Sequence, residues 1–284
     1  MNDGNINFQA AFDRLDDILR QEAGCTTELD YTEQSSWLLF LKYLDDLEYE
    51  KELEATLEGK SHQPLIADEH RWRHWASPKT AEGKPDLNTG RVGDDLIGYI
   101  NTTLFPYLAG FRSDAESSDT IHYKIGAIFS QIRNRFTSGY LLRDAIDQID
   151  TLSFKSQKEK HELSDLYETK IHKMGNAGRN GGEYYTPRPL IRAMINSIKP
   201  QIGETIYDAA VGSAGFLCEA HDYLRKGKTL TTTDMEVLQS DTFRGKEKKS
   251  LAYVIGTMNM ILHGIEAPDI RLANSLEENI SDIQ

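Results

Sequence analysis

Apolar residues return every three or four positions along the first half of the chain. Phe8, Phe12, Leu15, Ile18 and Leu19 mark one amphipathic helix over residues 5–22. Trp37, Leu38, Phe40, Leu41 and Leu44 mark a second, from Glu33 to about Leu57, with a broad apolar face and a charged tail. Residues 59–95 lose the period and collect prolines and glycines, which predicts a long irregular connection with one short helix. Helical spacing resumes at Leu96–Leu108, sharpens at Ile125, Ile128, Phe129, Ile132 and Phe136, and runs on through Tyr140 to Ile149. Asp119 or Thr120 is placed to cap that run. Lys155–Met174 is a further helix of alternating charge, with Leu163, Leu166 and Ile171 turned inward. Residues 1–174 therefore predict an all-α domain.

The pattern then changes. Residues 175–182, with four glycines and two asparagines, cannot hold a helix and predict a hinge. It reads equally as an interdomain linker and as a loop that orders over a ligand. Pro187, capped by Thr186, opens a helix whose buried face is Leu190, Ile191, Met194, Ile195 and Ile198. Thr205–Asp208 is a strand, Gly215 to about Lys226 a helix, and Gly227–Asp241 a polar surface insertion. Phe243–Glu247 is a second strand, followed by a helix carrying Leu251, Val254, Ile255, Met258, Ile261 and Leu262. Asp269–Leu272 is a third strand, ending at Asn274. Strands alternating with helices mean a parallel sheet, so residues 183–284 predict an α/β domain.

Composition narrows the setting. The chain is 39% hydrophobic and 27% charged, the balance of a globular protein. It has no membrane-length apolar run and no signal-peptide start, so it is expected in the cytoplasm without a membrane partner. Cys25 and Cys218 stand far apart, which indicates neither a disulfide framework nor a cysteine metal site. A net charge of −13 argues against a chain that grips nucleic-acid phosphates unaided. Arg225, Lys226, Lys228, Arg244, Lys246, Lys248 and Lys249 form the one basic concentration, read as a solvated surface ahead of a phosphate contact.

The chemistry gathers at Asp208–Phe216. Gly212 and Gly215 permit backbone shapes other residues resist, and a helix follows at once. Such a turn offers bare N–H groups beside a carboxylate at a strand's carboxyl end, where open α/β sheets hold nucleotide-like ligands. Neither the Gly-x-Gly-x-x-Gly fingerprint nor a phosphate-cradling loop is present. An acid with two spaced glycines suits a ligand bearing an ammonium, as the amino-acid end of S-adenosylmethionine does. A second acid would hold its ribose. Asp234 lies nearer the usual spacing of about twenty residues, while Glu247 precedes the better helix and is preferred. His70 and His74 stand at helical spacing for a metal, but Arg71 occupies the place of the glutamate a zinc hydrolase needs. No metal is expected.

Three segments carry a family resemblance: Gly182-Glu-Tyr-Tyr-Thr-Pro-Arg-Pro-Leu190, Asp208-Ala-Ala-Val-Gly-Ser-Ala-Gly-Phe-Leu217, and Met258–Ile265 with Asn274-Ser-Leu276. Together they resemble the modification subunit of type I restriction–modification systems, the amino-adenine DNA methyltransferases. The resemblance is strongest over residues 160–276. It implies a Rossmann-like methyltransferase domain that uses S-adenosylmethionine. By position, it makes Glu183, Tyr184, Tyr185, Thr186, Pro187 and Arg188 the segment wrapping the cofactor. Asp208, Gly212, Ser213, Ala214 and Gly215 become the methionine-end pocket, Glu247 the ribose acid, and Asn274 a residue near the adenine. The implied partners are a specificity subunit, a nuclease–translocase restriction subunit, a second copy of this subunit and double-stranded DNA reached through the complex.

Two departures qualify it. Ala209 stands where the family commonly has proline. The catalytic Asn-Pro-Pro-Phe or -Tyr tetrapeptide, which grips a flipped adenine, does not occur in residues 1–284. The chain is accordingly expected to be a fragment holding only the first strands of the sheet, with the strand at 205–208 unpaired on one edge and no activity alone. The rival expectations are a non-catalytic interaction fragment that pairs with intact subunits, and a small-molecule methyltransferase.

Overall fold

The structure is a computed structural model that describes residues 8–80, 82, 86, 89–154, 157–176, 186–227 and 229–277. By packing the chain divides into two units, Met1–Leu108 with Arg133–Leu166, and Ala109–Ile132 with Tyr167–Gln284. The boundary expected from the pattern follows the chain at 174/183. The packing units instead give Ala109–Ile132 to the sheet, because its helix lies on a helix of the second unit.

In the first unit α1 (Phe8–Gln21) buries Phe8, Phe12, Leu15 and Leu19. Helix α2 (Glu28–Leu57) begins five residues earlier than its apolar face predicts. Thr27 and Asp30 form a reciprocal capping box, with the Asp30 N–H donating to Thr27 Oγ1 (3.2 Å) and the Thr27 N–H to Asp30 Oδ2 (3.0 Å). The expected residues Trp37, Leu38, Phe40, Leu41 and Leu44 are all buried. So are polar neighbours, which makes α2 a central helix whose charges are paired inside: Lys42 with Asp46 at 2.8 Å, and Asp45 with Arg71 and Arg73.

The irregular stretch holds a 3-10 turn (Asp68–His70) and a short α3 (Trp72–Trp75). Its histidines take separate partners: His62 meets Glu48, His70 meets the Tyr99 hydroxyl (2.9 Å) and His74 meets Asp68 (3.1 Å). Helix α4 (Gly93–Tyr99) continues through a π turn (Ile100–Leu104) into α5 (Phe105–Asp114). The π turn falls just ahead of Pro106, which has no N–H to give and would crowd the carbonyl four residues back.

The run expected to stay helical from Ile125 through Phe136 breaks. Helix α6 (Ile121–Phe129), capped by Thr120, stops short, and α7 (Gly139–Asp150) starts afresh on a Ser138 cap. Distant polar groups capture the segment between. The Gln34 side chain donates to the Arg133 carbonyl (2.9 Å) and accepts from the Arg135 N–H (3.0 Å), while Glu22 accepts from Thr137 and Ser138. These bonds satisfy backbone that a helix would otherwise satisfy. Helix α8 (Gln157–Asn176) runs two residues into the expected hinge, and 177–182 lie outside the described residues.

In the second unit α9 (Arg188–Ile198) differs from expectation twice. Pro187 occupies the cap position, and Thr186 provides no side-chain cap. Only Ile191 and Ile195 of the predicted apolar face are buried, while Leu190, Met194 and Ile198 are exposed. Strands β1 (Ile206–Asp208), β2 (Phe243–Glu247) and β3 (Asp269–Leu272) form a parallel sheet in the order β1-β2-β3. Asp208 is in register with Gly245, and Glu247 with Leu272. Among the described residues β1 therefore has one free edge. Helix α10 (Gly215–Arg225) follows β1. The expected polar insertion instead contains α11 (Thr232–Ser240), started by a second capping box, Thr231 with Asp234. Helix α12 (Ser250–Leu262) is buried along almost its whole length, against β2, β3, α6 and α10. Lys124 of α6 is buried there too, with Nζ 3.4 Å from the Ile270 carbonyl.

Candidate functional site

All three strands deliver their carboxyl ends to one edge of the sheet. Past Asp208 the pairing continues one step, with the Val211 N–H donating to the Lys246 carbonyl (3.1 Å). Gly245 permits the close approach, since a Cβ there would meet the Val211 side chain and lie 2.9 Å from the Asp208 carbonyl. The chain then turns through Gly212 (φ 55°), Ser213 and Ala214 (φ 64°) into α10. Ala214 is in the left-handed region, which a non-glycine residue enters at a cost of about 1–2 kcal/mol. It brings no capping side chain to α10, so the first N–H groups of that helix face the turn without a side-chain partner.

Glu247 reaches this turn. Its Oε2 accepts from the Gly212 N–H (2.9 Å) and its Oε1 from the Lys249 N–H (2.8 Å), which fixes the carboxylate plane. Asp208 accepts from the Ala210 N–H (3.0 Å). Burial pushes the Asp208 carboxyl above its usual range, the Ala210 bond opposes this, and the nearby Glu247 charge reinforces it. The two acids singled out in the sequence thus stand together. Asp234 does not join them, because its carboxylate accepts from Thr231 in the cap of α11.

The third strand closes the edge. The Ala273 N–H donates to the Glu247 carbonyl (3.0 Å), and Ser275 Oγ donates to the Ala209 carbonyl (2.5 Å). Asn274 is held locally, accepting from the Leu276 N–H and donating to Glu277 (2.7 Å).

Of the wrapping segment, Glu183, Tyr184 and Tyr185 lie outside the described residues. Arg188 is buried, forked onto the Glu168 carboxylate of α8, with Nε at 2.7 Å from Oε2. It lies against Gly215, where a Cβ would collide with the guanidinium. Glu168 and Gly256 were not singled out from the sequence, and Asn259 lay within the Met258–Ile265 segment without a role, marked only as a polar residue inside an otherwise apolar run.

Glu168, Cys218 and His263 also approach one another, with candidate ligand atoms within 4.8 Å. Their atoms have other work. Glu168 serves Arg188 and Asn259, His263 Nδ1 meets the Asn259 carbonyl (2.8 Å), and burial drives the Cys218 thiol well up. A cation would have to displace a guanidinium there. Of the basic cluster, Lys226, Lys248 and Lys249 are exposed, Lys246 is buried, and Lys228 lies outside the described residues.

A parallel sheet ending in two acids around a left-handed turn defines an α/β protein of the kind whose strand ends commonly hold nucleotide-like ligands, here joined to a helical unit. Known proteins narrow this class. The family described as HsdM N-terminal domain matches residues 9–169, and N-6 DNA Methylase matches residues 158–283. The type I restriction enzyme EcoEI methylase subunit of Escherichia coli is 36% identical over 277 residues, covering 97% of this chain and 53% of that protein. The StySJI methylase subunit of Salmonella typhimurium is 32% identical over 96% of this chain and 47% of its own length. The crystal structure of a modification subunit from Vibrio vulnificus YJ016 superposes with a TM-score of 0.81 at 38% identity, over 97% of this chain and 57% of that one. The chain belongs to the family of modification subunits of type I restriction–modification systems. It spans about half the length of these relatives. No helix among the described residues is long and apolar enough to cross a membrane.

Proposed function

We propose that this chain is the cofactor-side part of a DNA adenine methyltransferase subunit that uses S-adenosylmethionine. The observation that carries the reading is the convergence of Asp208, Glu247 and the turn 211–215 at one sheet edge. Gly212, Ser213, Ala214 and Gly215 would hold the methionine end, with Asp208 toward its ammonium. Glu247, oriented by two backbone N–H groups, keeps further lone pairs for the ribose hydroxyls. Glu183, Tyr184, Tyr185, Thr186 and Pro187 remain the candidates for wrapping it, and Arg188 supports the turn from inside.

When bound, the cofactor supplies an electrophilic methyl group, and the protein's task is positioning. In the whole protein the acceptor would be the exocyclic amine of a flipped adenine in double-stranded DNA. The net charge of −13 favours reaching DNA through a specificity subunit, in a complex with a second modification subunit and the restriction subunit. The Asn-Pro-Pro-Phe tetrapeptide is absent from residues 1–284, so this chain alone should transfer no methyl group.

Binding tests the reading. Calorimetric titration of the chain with S-adenosylhomocysteine at millimolar concentration should give weak binding that Asp208→Ala or Glu247→Ala each lowers by about tenfold or more. Binding indifferent to both substitutions, or none at all, overturns the reading.

A further inference from the structure

The turn is held from behind by Arg188 together with Glu168, Gly256 and Asn259, for which the proposed function has no place. Asn259 of α12 is fully buried and its Nδ2 donates in two directions, to the Ser213 carbonyl (2.8 Å) and to Glu168 Oε1 (2.5 Å). The other Glu168 oxygen takes the Arg188 guanidinium, which fills the space beside Gly215. One helical turn before Asn259, Gly256 lets α12 lie against the turn; a Cβ there would stand 2.6 Å from the Gly212 carbonyl. Gly212, Ser213 and Gly215 are thus each braced by a different member of one connected group. With Ala214 held in the left-handed region, which a non-glycine residue resists, the turn needs such bracing.

We propose that Asn259 is a positioning residue for the cofactor turn, acting with Glu168, Arg188 and Gly256 to hold Gly212–Gly215 in its ligand-ready shape. This rests on the reading of that turn as the cofactor's seat. Asn259 touches no ligand. It sets the direction of the Ser213 peptide and, through it, of the N–H groups at the head of α10.

Two measurements decide it. In the unliganded chain, amide hydrogen exchange at residues 212–216 should quicken about tenfold in Asn259→Ala while the sheet's amides hold their rates. Unchanged exchange at the turn overturns the proposal, whatever the chain binds. The second uses Asn259→Asp, equal in size and a donor only when protonated. Glu168 and Arg188 face that position from α8 and α9, Cys218 from α10, and His263 lies one turn along α12. At pH 8 this variant should bind S-adenosylhomocysteine about tenfold more weakly than the parent chain, and the gap should narrow toward pH 5.5 as the donor returns. A gap that stays constant with pH marks a merely structural residue and overturns the proposal. If the parent chain binds nothing, the cofactor reading falls, and the exchange measurement still decides whether Asn259 shapes the turn.

Discussion

Glu22, buried in the helical unit, and Asp208, half-buried in the sheet unit, are acids treated in opposite ways. Glu22 accepts from the Gly24 N–H (3.1 Å), the Thr137 N–H (3.0 Å) and hydroxyl (2.5 Å), and the Ser138 N–H (3.2 Å). Burial would raise its pKa, but the donors outweigh burial and hold the carboxyl below its usual range. Asp208 accepts from one backbone N–H and faces another carboxylate, so burial wins and its pKa is raised. The first acid is consumed in tying a loop to a helix. The second is left under-satisfied at a sheet edge, the condition of a group whose partner arrives from outside.

The contrast predicts that the two acids fail differently. Glu22→Ala removes the partner of several partly buried donors and should cost about 2 kcal/mol in urea unfolding, with ligand affinity unchanged in the folded fraction. A cost below about 1 kcal/mol would mean that water already serves those donors. Asp208→Asn should do the reverse. S-adenosylhomocysteine affinity falls about tenfold, equivalent to about 1.4 kcal/mol, while stability at neutral pH holds or rises slightly.

Acid titration sharpens the comparison through its sign. Glu22 has a lowered folded pKa, so its contribution is present above the unfolded value near 4.5 and is lost as pH falls through the folded value. Asp208 has a raised folded pKa, so its contribution is present below the unfolded value of 3.8 and is lost as pH rises through the folded value. Comparing Glu22→Gln and Asp208→Asn with the parent chain from pH 3 to 7 should give stability differences that run in opposite directions. Parallel profiles would remove the distinction drawn between the two acids.

What the sequence let one read follows the range of the forces involved. The turn at 212–215 was visible because glycines and a strand-ending acid are local, and the structure joins them to Glu247 as the helix after it implied. Both helix starts that went unseen, at Glu28 and Thr232, use a capping box with aspartate at the third position, shorter than the usual glutamate or glutamine. The break after Phe129 was invisible for another reason. It is imposed by Gln34 and Glu22, about a hundred residues away, on a stretch whose own periodicity is helical. Asn259 was a displaced polar residue whose purpose only its three-dimensional neighbours reveal.

Helix α9 supplies the smallest effect and a comparison within one element. Its period is helical throughout, yet only Ile191 and Ile195 are buried, beside α10, whose Glu219 also pairs with Arg192 at 2.8 Å. Leu190, Met194 and Ile198 lie four apart along the flank next to that pair, with Ile198 73% exposed. An apolar side chain already in water has no burial to lose, so Leu190→Ser and Ile198→Ser should each change unfolding free energy by no more than about 0.5 kcal/mol. Sedimentation should show any self-association weakened by the same pair, because an exposed row of this kind is the part of α9 free to join another surface. A loss near 2 kcal/mol from Ile198→Ser would show instead that this row is covered within the chain in solution, and that α9 buries the whole five-residue face its sequence pattern implied.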